Sequence, residues 1–310
     1  IAALPAFDPL AFPLWGVPFA VKDNIDVAGS QTTAACPAYS YIPEDDAPVV
    51  ARLKAAGAIV VGKTNLDQFA TGLVGVRSPY PIPRNAFDPA IVPGGSSSGS
   101  AVAVAQGLAS FSLGTDTAGS GRVPAGLNNL VGLKPSLGGL STRGVVPACR
   151  TLDCVSIFAT TVADARVVFD VAAGLDAEDP YSRPLDGGVD APLRVIGVPR
   201  KADRLFFGDG LMEAAFEAAL ARLEPLGVVL REVDMSGFFE VARLLYEGPW
   251  VAERRAAVRT FMDARPEAMH PVTHAILAKA DGISATDTFE ALYRLAALKR
   301  RTETVWRDSN

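Results

Sequence analysis

Histidine is almost missing from this chain: there are two in 310 residues, His270 and His274, both far downstream of the serine-rich segment that runs from Val92 to Leu140. A hydroxyl nucleophile in that segment therefore needs a different base. The two histidines stand four apart, a metal-ligand spacing on a helix. Pro271 lies between them, however, and no HExxH pattern or carboxylate partner accompanies them, so structural or surface roles are expected. Cysteine is scarce as well. Cys36, Cys149 and Cys154 cannot all pair, and the last two have neither a metal-ligand spacing nor a histidine nearby, which points to reduced thiols and a cytoplasmic protein. No apolar run approaches the roughly 20 residues that span a bilayer, and the N-terminus lacks the basic region and apolar core of a signal peptide. Clusters of basic residues are also missing: the net charge is -5 with lysine and arginine scattered. That excludes the electrostatic footprint of a nucleic-acid or membrane binder and leaves a small soluble substrate.

What is present describes a globular α/β chain. With 49% hydrophobic and 20% charged residues it can bury a substantial core. Residues 17–21 (VPFAV) and 58–62 (AIVVG) read as buried strands. Between them 48–56 (PVVARLKAA) reads as a helix, with Pro48 in its first turn and Gly57 at its end. A small-residue helix over 100–108 and a strand over 109–113 follow. Further on, 193–199 and 228–235 read as strands around a helix over 211–226, and past Gly237 the pattern is helical with breaks near Pro266, Pro271 and Gly282. The polar segment 178–191 is the expected loop or module boundary. The last residues, RLAALKRRTETVWRDSN, are helical and uncapped, so the chain reads as a fragment, incomplete at both ends.

Lys22 is the candidate base. It follows an apolar strand and precedes a polar turn (Asp23, Asn24), placing it at a strand end, where the sites of open α/β sheets collect. A lysine accepts a proton near neutral pH only if burial lowers its pKa from about 10.4. The glycine-rich elements GGSSSGS and GTDTAGSG supply the other requirement, backbone N–H groups able to face an oxyanion. A linker is the plainer reading of such runs, but apolar segments flank both and neither is long. A nucleotide loop is disfavoured because GGSSSGS carries neither a Walker-type lysine nor GxGxxG.

Lys22 in PFAVKDN, Ser96 in PGGSSSGS and Ser120 in GTDTAGSGRVPA, followed by GLKPS and TRGVVP, closely resemble the amidase signature family. The motifs cover most of the first 165 residues in order. The resemblance implies an α/β/α sandwich around a large mixed β-sheet. It implies Ser120 as nucleophile, Ser96 as a bridging serine after a cis peptide, and Lys22 as base. The N–H groups of Thr117, Ala118, Gly119 and Ser120 would form the oxyanion hole. No metal or organic cofactor is implied, and a homodimer is.

Two departures narrow the branch. Where most members carry two glycines before the nucleophile, this chain has Ala118-Gly119, and the later motif is CRTLDCVSIFA. Both look like the allophanate hydrolase branch, as does LLYEGPWVAERRAAV, in which Tyr246 and Arg254 take the positions of substrate-holding residues. The implied substrate is a small anionic amide, with Gly95, Tyr246 and Arg254 binding it, and the implied reaction releases ammonia through an acyl-serine. An arginine suits a carboxylate because its planar fork binds it bidentately. The expected organisation is one amidase domain, 1–310, with a catalytic-motif half over 1–175 and a more helical, substrate-binding half over 192–310, and a separate C-terminal domain missing. Three alternatives stand beside this reading: an amidase for another small amide, a glutaminase-type amidotransferase subunit, and an inert scaffold, which would need none of Lys22, Ser96 and Ser120.

Overall fold

The computed structural model describes residues 6–185 and 194–308. Along the chain run β1 (Pro18–Lys22), α1 (Pro48–Ala55), β2 (Ile59–Thr64), α2 (Ser98–Ala105), β3 (Phe111–Asp116), α3 (Arg122–Leu127), β4 (Val131–Leu133), β5 (Cys154–Ala159) and α4 (Val162–Ala172). Then follow β6 (Val195–Pro199), α5 (Gly210–Ala221), β7 (Val229–Val233), α6 (Ser236–Glu247), α7 (Trp250–Ala264), α8 (Pro271–Ala278) and α9 (Ala285–Asp308). Two compact units result: Ile1–Asp186 with Glu253–Lys279, and Gly187–Ala252 with Ala280–Asn310.

The first unit is built on a mixed sheet in the order β2-β1-β3-β5-β4, which agrees with the expected α/β class with a mixed sheet. β1 pairs parallel with β2 and with β3, while β5 runs antiparallel to β3 and β4. β3 and β5 are buried at every residue, as strands covered on both faces require. Phe19 and Phe111, opposite each other in register, stack at 5.0 Å between centroids. Val21, Leu53, Leu113, Ile157 and Val168 join them in one core. A second cluster packs Val258, Met262 and Leu277 of α7 and α8 on Phe69 and Val146.

The expected elements are present, with shifted ends. The helix expected over 100–108 lies at Ser98–Ala105, ended by Gly107 at φ +71°. Sequence patterning missed α3, β4, β5 and α4. The second unit holds the parallel pair β6–β7 and the helices α5, α6 and α9. Glu240 on α6 bonds Arg294 and Arg301 of α9 at 3.1 and 2.6 Å, and a Cβ on Gly237 would come within 2.9 Å of Thr302 Cγ2. The helical pattern expected past Gly237 is thus borne out, with a further break at Gly248 and Pro249. Of the boundary segment expected over 178–191, residues 186–191 lie outside the described residues.

Candidate active site

β1 sits between two parallel neighbours, so its last residue is buried along with the apolar ones before it. Lys22 has no exposed surface. Its Nζ donates to Ser96 Oγ at 2.8 Å and to Thr115 Oγ1, on β3, at 2.7 Å. Both partners are neutral hydroxyls. Burial drives the Lys22 pKa from 10.5 down to about 7, against the smaller upward pull of Asp67, Asp116 and Asp153. Asn24 supports Thr115 through an Nδ2 donation at 3.4 Å and ties to Val146 O at 3.2 Å.

Ser96 stands in the loop that leads into α2, and the Gly95–Ser96 peptide is cis. Asp67 holds this loop from behind. Its carboxylate accepts the N–H groups of Gly75 and Arg77, each at 2.9 Å, and its own N–H donates to Ser96 O at 3.1 Å. Only glycine fits at position 95, where a Cβ would lie 2.1 Å from Asp67 Oδ2. The Gly95 N–H is taken by Leu73 O at 2.8 Å. The small residues of α2 let it approach the sheet closely enough for Ser100 Oγ to reach Leu113 O at 2.9 Å.

The second loop starts at the end of β3. Asp116 accepts Gly119 N–H at 2.6 Å and Gly121 N–H at 3.1 Å, and Arg122 closes on it with two bonds of 2.9 and 3.0 Å. Burial raises the Asp116 pKa, but these donors outweigh it and hold the carboxyl below its usual range. Gly119 has φ +131°, a conformation that side-chain-bearing residues rarely adopt. Ser120, 4% exposed, donates from Oγ to Gly72 O at 3.5 Å. The two loops meet where Ser97 N–H donates to Ser120 O at 3.3 Å. Among the described residues no hydrogen bond joins the hydroxyls of Ser96 and Ser120. With Gly119 N–H on Asp116, the donors of this turn that have no acceptor among the described residues are those of Thr117, Ala118 and Ser120. Thr117 also anchors the turn through its side chain, which donates to Asp153 Oδ1 at 2.5 Å.

Arg254, on the part of α7 that belongs to the first unit, is 5% exposed. Its Nη1 donates to Thr71 Oγ1 at 3.5 Å. No carboxylate among the described residues forms a salt bridge with it, although Asp153 is close enough for the guanidinium to oppose the rise that burial gives its pKa. Thr71 directly precedes Gly72, the acceptor of Ser120. Tyr246 lies on α6 in the second unit, 45% exposed. His270 caps α8 by accepting Val272 N–H at Nδ1, and the three cysteines are buried and form no disulfide with one another. Among the described residues no group of three or more histidine, cysteine or acidic side chains is placed to hold a metal ion. No helix among them is long and apolar enough to cross a membrane.

The structure thus brings Lys22, Ser96 and the turn carrying Ser120 together and adds residues that sequence reading missed: Thr115, Asp116, Asp67, Asp153 and Thr71. Thr115 and Asp116 stand inside GTDTAGSGR, so the motif itself held the signal. Asp67, Thr71 and Asp153 reach the site only through tertiary structure.

These features define a mixed α/β sheet that ends a strand in a buried lysine bonded to a serine of one glycine-rich loop, beside a second such loop that carries Ser120. An amidase family model matches residues 6–308, and the chain belongs to the amidase family. It is 49% identical over 306 residues to urea amidolyase of Saccharomyces cerevisiae, covering 94% of this chain and 16% of that protein. It is 43% identical over 234 residues to a glutamyl-tRNA(Gln) amidotransferase subunit of Symbiobacterium thermophilum, covering 72% of this chain and 47% of that one. The selenomethionine-substituted allophanate hydrolase of Kluyveromyces lactis superposes with a TM-score of 0.94 at 45% identity, over 98% of this chain and 50% of that chain. The chain therefore spans half or less of the length of these relatives.

Proposed function

We propose that this chain is an amidohydrolase unit that cleaves allophanate at its terminal amide, with Ser120 as nucleophile, Ser96 as proton bridge and Lys22 as base. The observation that carries the reading is Lys22, fully buried, with a pKa near 7 and its Nζ 2.8 Å from Ser96 Oγ. A neutral amine takes the Ser96 proton as Ser96 takes that of Ser120, whose oxygen attacks the amide carbon. This transfer requires the Ser120 hydroxyl to leave Gly72 O and turn toward Ser96. The N–H groups of Thr117, Ala118 and Ser120 steady the oxyanion, and Gly119 acts through its φ and its bond to Asp116. As the tetrahedral intermediate collapses, the Lys22 proton returns through Ser96 to the leaving nitrogen and ammonia departs. Water then cleaves the acyl-serine by the same relay and yields N-carboxycarbamate. None of these steps calls for a cofactor.

For the substrate, support comes from Arg254, a buried cation with no salt bridge among the described residues, which suits the allophanate carboxylate. Tyr246 and Gly95 are the further proposed contacts. With its N–H on Leu73, Gly95 offers its carbonyl. The reading also includes a cytoplasmic homodimer and a separate C-terminal domain completing the conversion. The test is ammonia release from freshly prepared allophanate, glutamine and malonamide. Turnover of allophanate alone, lost in Ser120→Ala with the fold retained, is expected. Turnover of glutamine or malonamide but not allophanate overturns the substrate assignment, and full activity of Ser120→Ala overturns the mechanism. The likeness to an amidotransferase component makes glutamine the rival to beat.

A further inference from the structure

The loop between β4 and β5 closes around one buried carboxylate. Asp153, 6% exposed, accepts Ala148 N–H at 2.9 Å and Cys149 N–H at 3.1 Å, while the N–H groups of Leu152 and Asp153 both donate to Cys149 O at 2.8 Å. The same carboxylate takes the Thr117 hydroxyl at 2.5 Å, from the residue that opens the turn to Ser120. At the outer end of the loop, Thr151 N–H and Oγ1 donate to the two Glu253 oxygens at 2.7 and 2.8 Å. Glu253 is the residue before Arg254 on α7.

We propose that Asp153 is a positioning residue. Through Thr117 it aims the N–H groups of the turn before Ser120, and through Thr151 and Glu253 the same loop fixes the stretch of α7 that carries Arg254. The anchor for an anionic substrate and the donors beside the nucleophile are thereby set by one rigid segment. The inference rests on the amide-hydrolase reading above. Its physical basis is that Asp116 grips this turn only at Gly119, Gly121 and Arg122. The peptide units of Thr117 and Ala118 then depend on the Thr117 side chain for their direction. One buried carboxyl holding three donors from two chain segments leaves little play between them.

Three single variants and one double variant test this, each checked for an unchanged fold by circular dichroism and thermal melting. Thr117→Val keeps the shape and removes the donor, Thr117→Ser keeps the donor, and Glu253→Ala frees the outer end of the loop. Since misplacing a reacting group by about 1 Å costs on the order of 100-fold in rate, Thr117→Val should lower kcat by about 10- to 100-fold, with KM within about twofold. Thr117→Ser should retain most of the rate. Glu253→Ala should raise KM for the anionic amide, and Thr117→Val with Glu253→Ala should lose less in kcat/KM than the product of the single losses, because both changes loosen one segment. Wild-type kcat in Thr117→Val, equal impairment of the Val and Ser variants, an unchanged KM in Glu253→Ala, or a fully multiplicative double variant would each overturn the proposal. If the wild type releases no ammonia from allophanate, the substrate assignment fails. The Thr117 comparison then runs on the amide that is turned over, or on the rate at which a sulfonyl fluoride labels Ser120.

Discussion

Replacing Lys22 by methionine abolishes the proposed base and should also change how stability depends on pH. The side chain is fully buried, and its pKa falls from 10.5 to about 7 chiefly through desolvation. At about 1.4 kcal/mol for each tenfold change in proton affinity, that fall corresponds to about 5 kcal/mol. Between pH 7 and 10.5 the unfolded chain keeps this proton and the folded chain releases it, so stability rises with pH across the window and this group's contribution is flat below it. The full penalty of about 5 kcal/mol therefore applies below pH 7, and about 2 kcal/mol remains at pH 9. Methionine carries no such penalty. It does lose the Nζ bonds to Ser96 and Thr115, at about 1 kcal/mol each with little dependence on pH. Urea unfolding of both proteins between pH 7 and 9 reads the difference. The wild type should gain about 2 kcal/mol over that range relative to K22M, since titrations common to both cancel. A constant difference would refute a desolvated, neutral lysine. So would a wild-type kcat/KM with no acid limb near pH 7.

Two further outcomes follow from the site. Arg254→Gln should raise KM for allophanate more than tenfold while leaving a carboxylate-free amide nearly unaffected, because a bidentate guanidinium–carboxylate contact is worth roughly 1.5–3 kcal/mol; equal losses on both substrates would give the arginine a structural role. Asp116→Ala should destabilise the fold by about 3 kcal/mol in chemical denaturation, since the N–H groups of Gly119 and Gly121 lose a buried acceptor and Arg122 its bidentate partner. A change under about 1 kcal/mol would show that the turn holds itself.

The strand-end lysine and the two glycine-rich loops were legible because each is a local pattern. An apolar run ending in a charge and a Gly/Ser stretch between apolar flanks keep their meaning whatever the rest of the chain does. β5 was harder. Its six residues, CVSIFA, are all buried, and a short continuous apolar run does not declare whether it is a strand or which way it runs. The second layer of the site was illegible for another reason. Asp67 lies 29 positions before Ser96 and Asp153 lies 33 after Ser120, so only the fold makes them neighbours of the loops they hold. The run of N–H groups taken from the family resemblance read as four equivalent donors until the structure gave one of them, Gly119, to Asp116.

The carboxylates also bear on the proposed role of Lys22, because a base must be able to lose its proton near neutral pH. Three aspartates act on Lys22, yet no salt bridge joins it to any of them among the described residues, and its contacts are hydroxyls. Each carboxylate is engaged elsewhere: Asp67 by Gly75 and Arg77, Asp116 by Gly119, Gly121 and Arg122, Asp153 by Thr117, Ala148 and Cys149. A direct ion pair would favour the ammonium form and restore an ordinary lysine, useless as a proton acceptor at neutral pH. Held at a distance, the anions offset only part of the desolvation. Asp67 exerts the largest of these pulls, so Asp67→Asn should lower the Lys22 pKa below 7 and move the acid limb of kcat/KM to lower pH. A limb that moves up would mean that Asp67 opposes protonation of the base, and the electrostatic account of the site would fail.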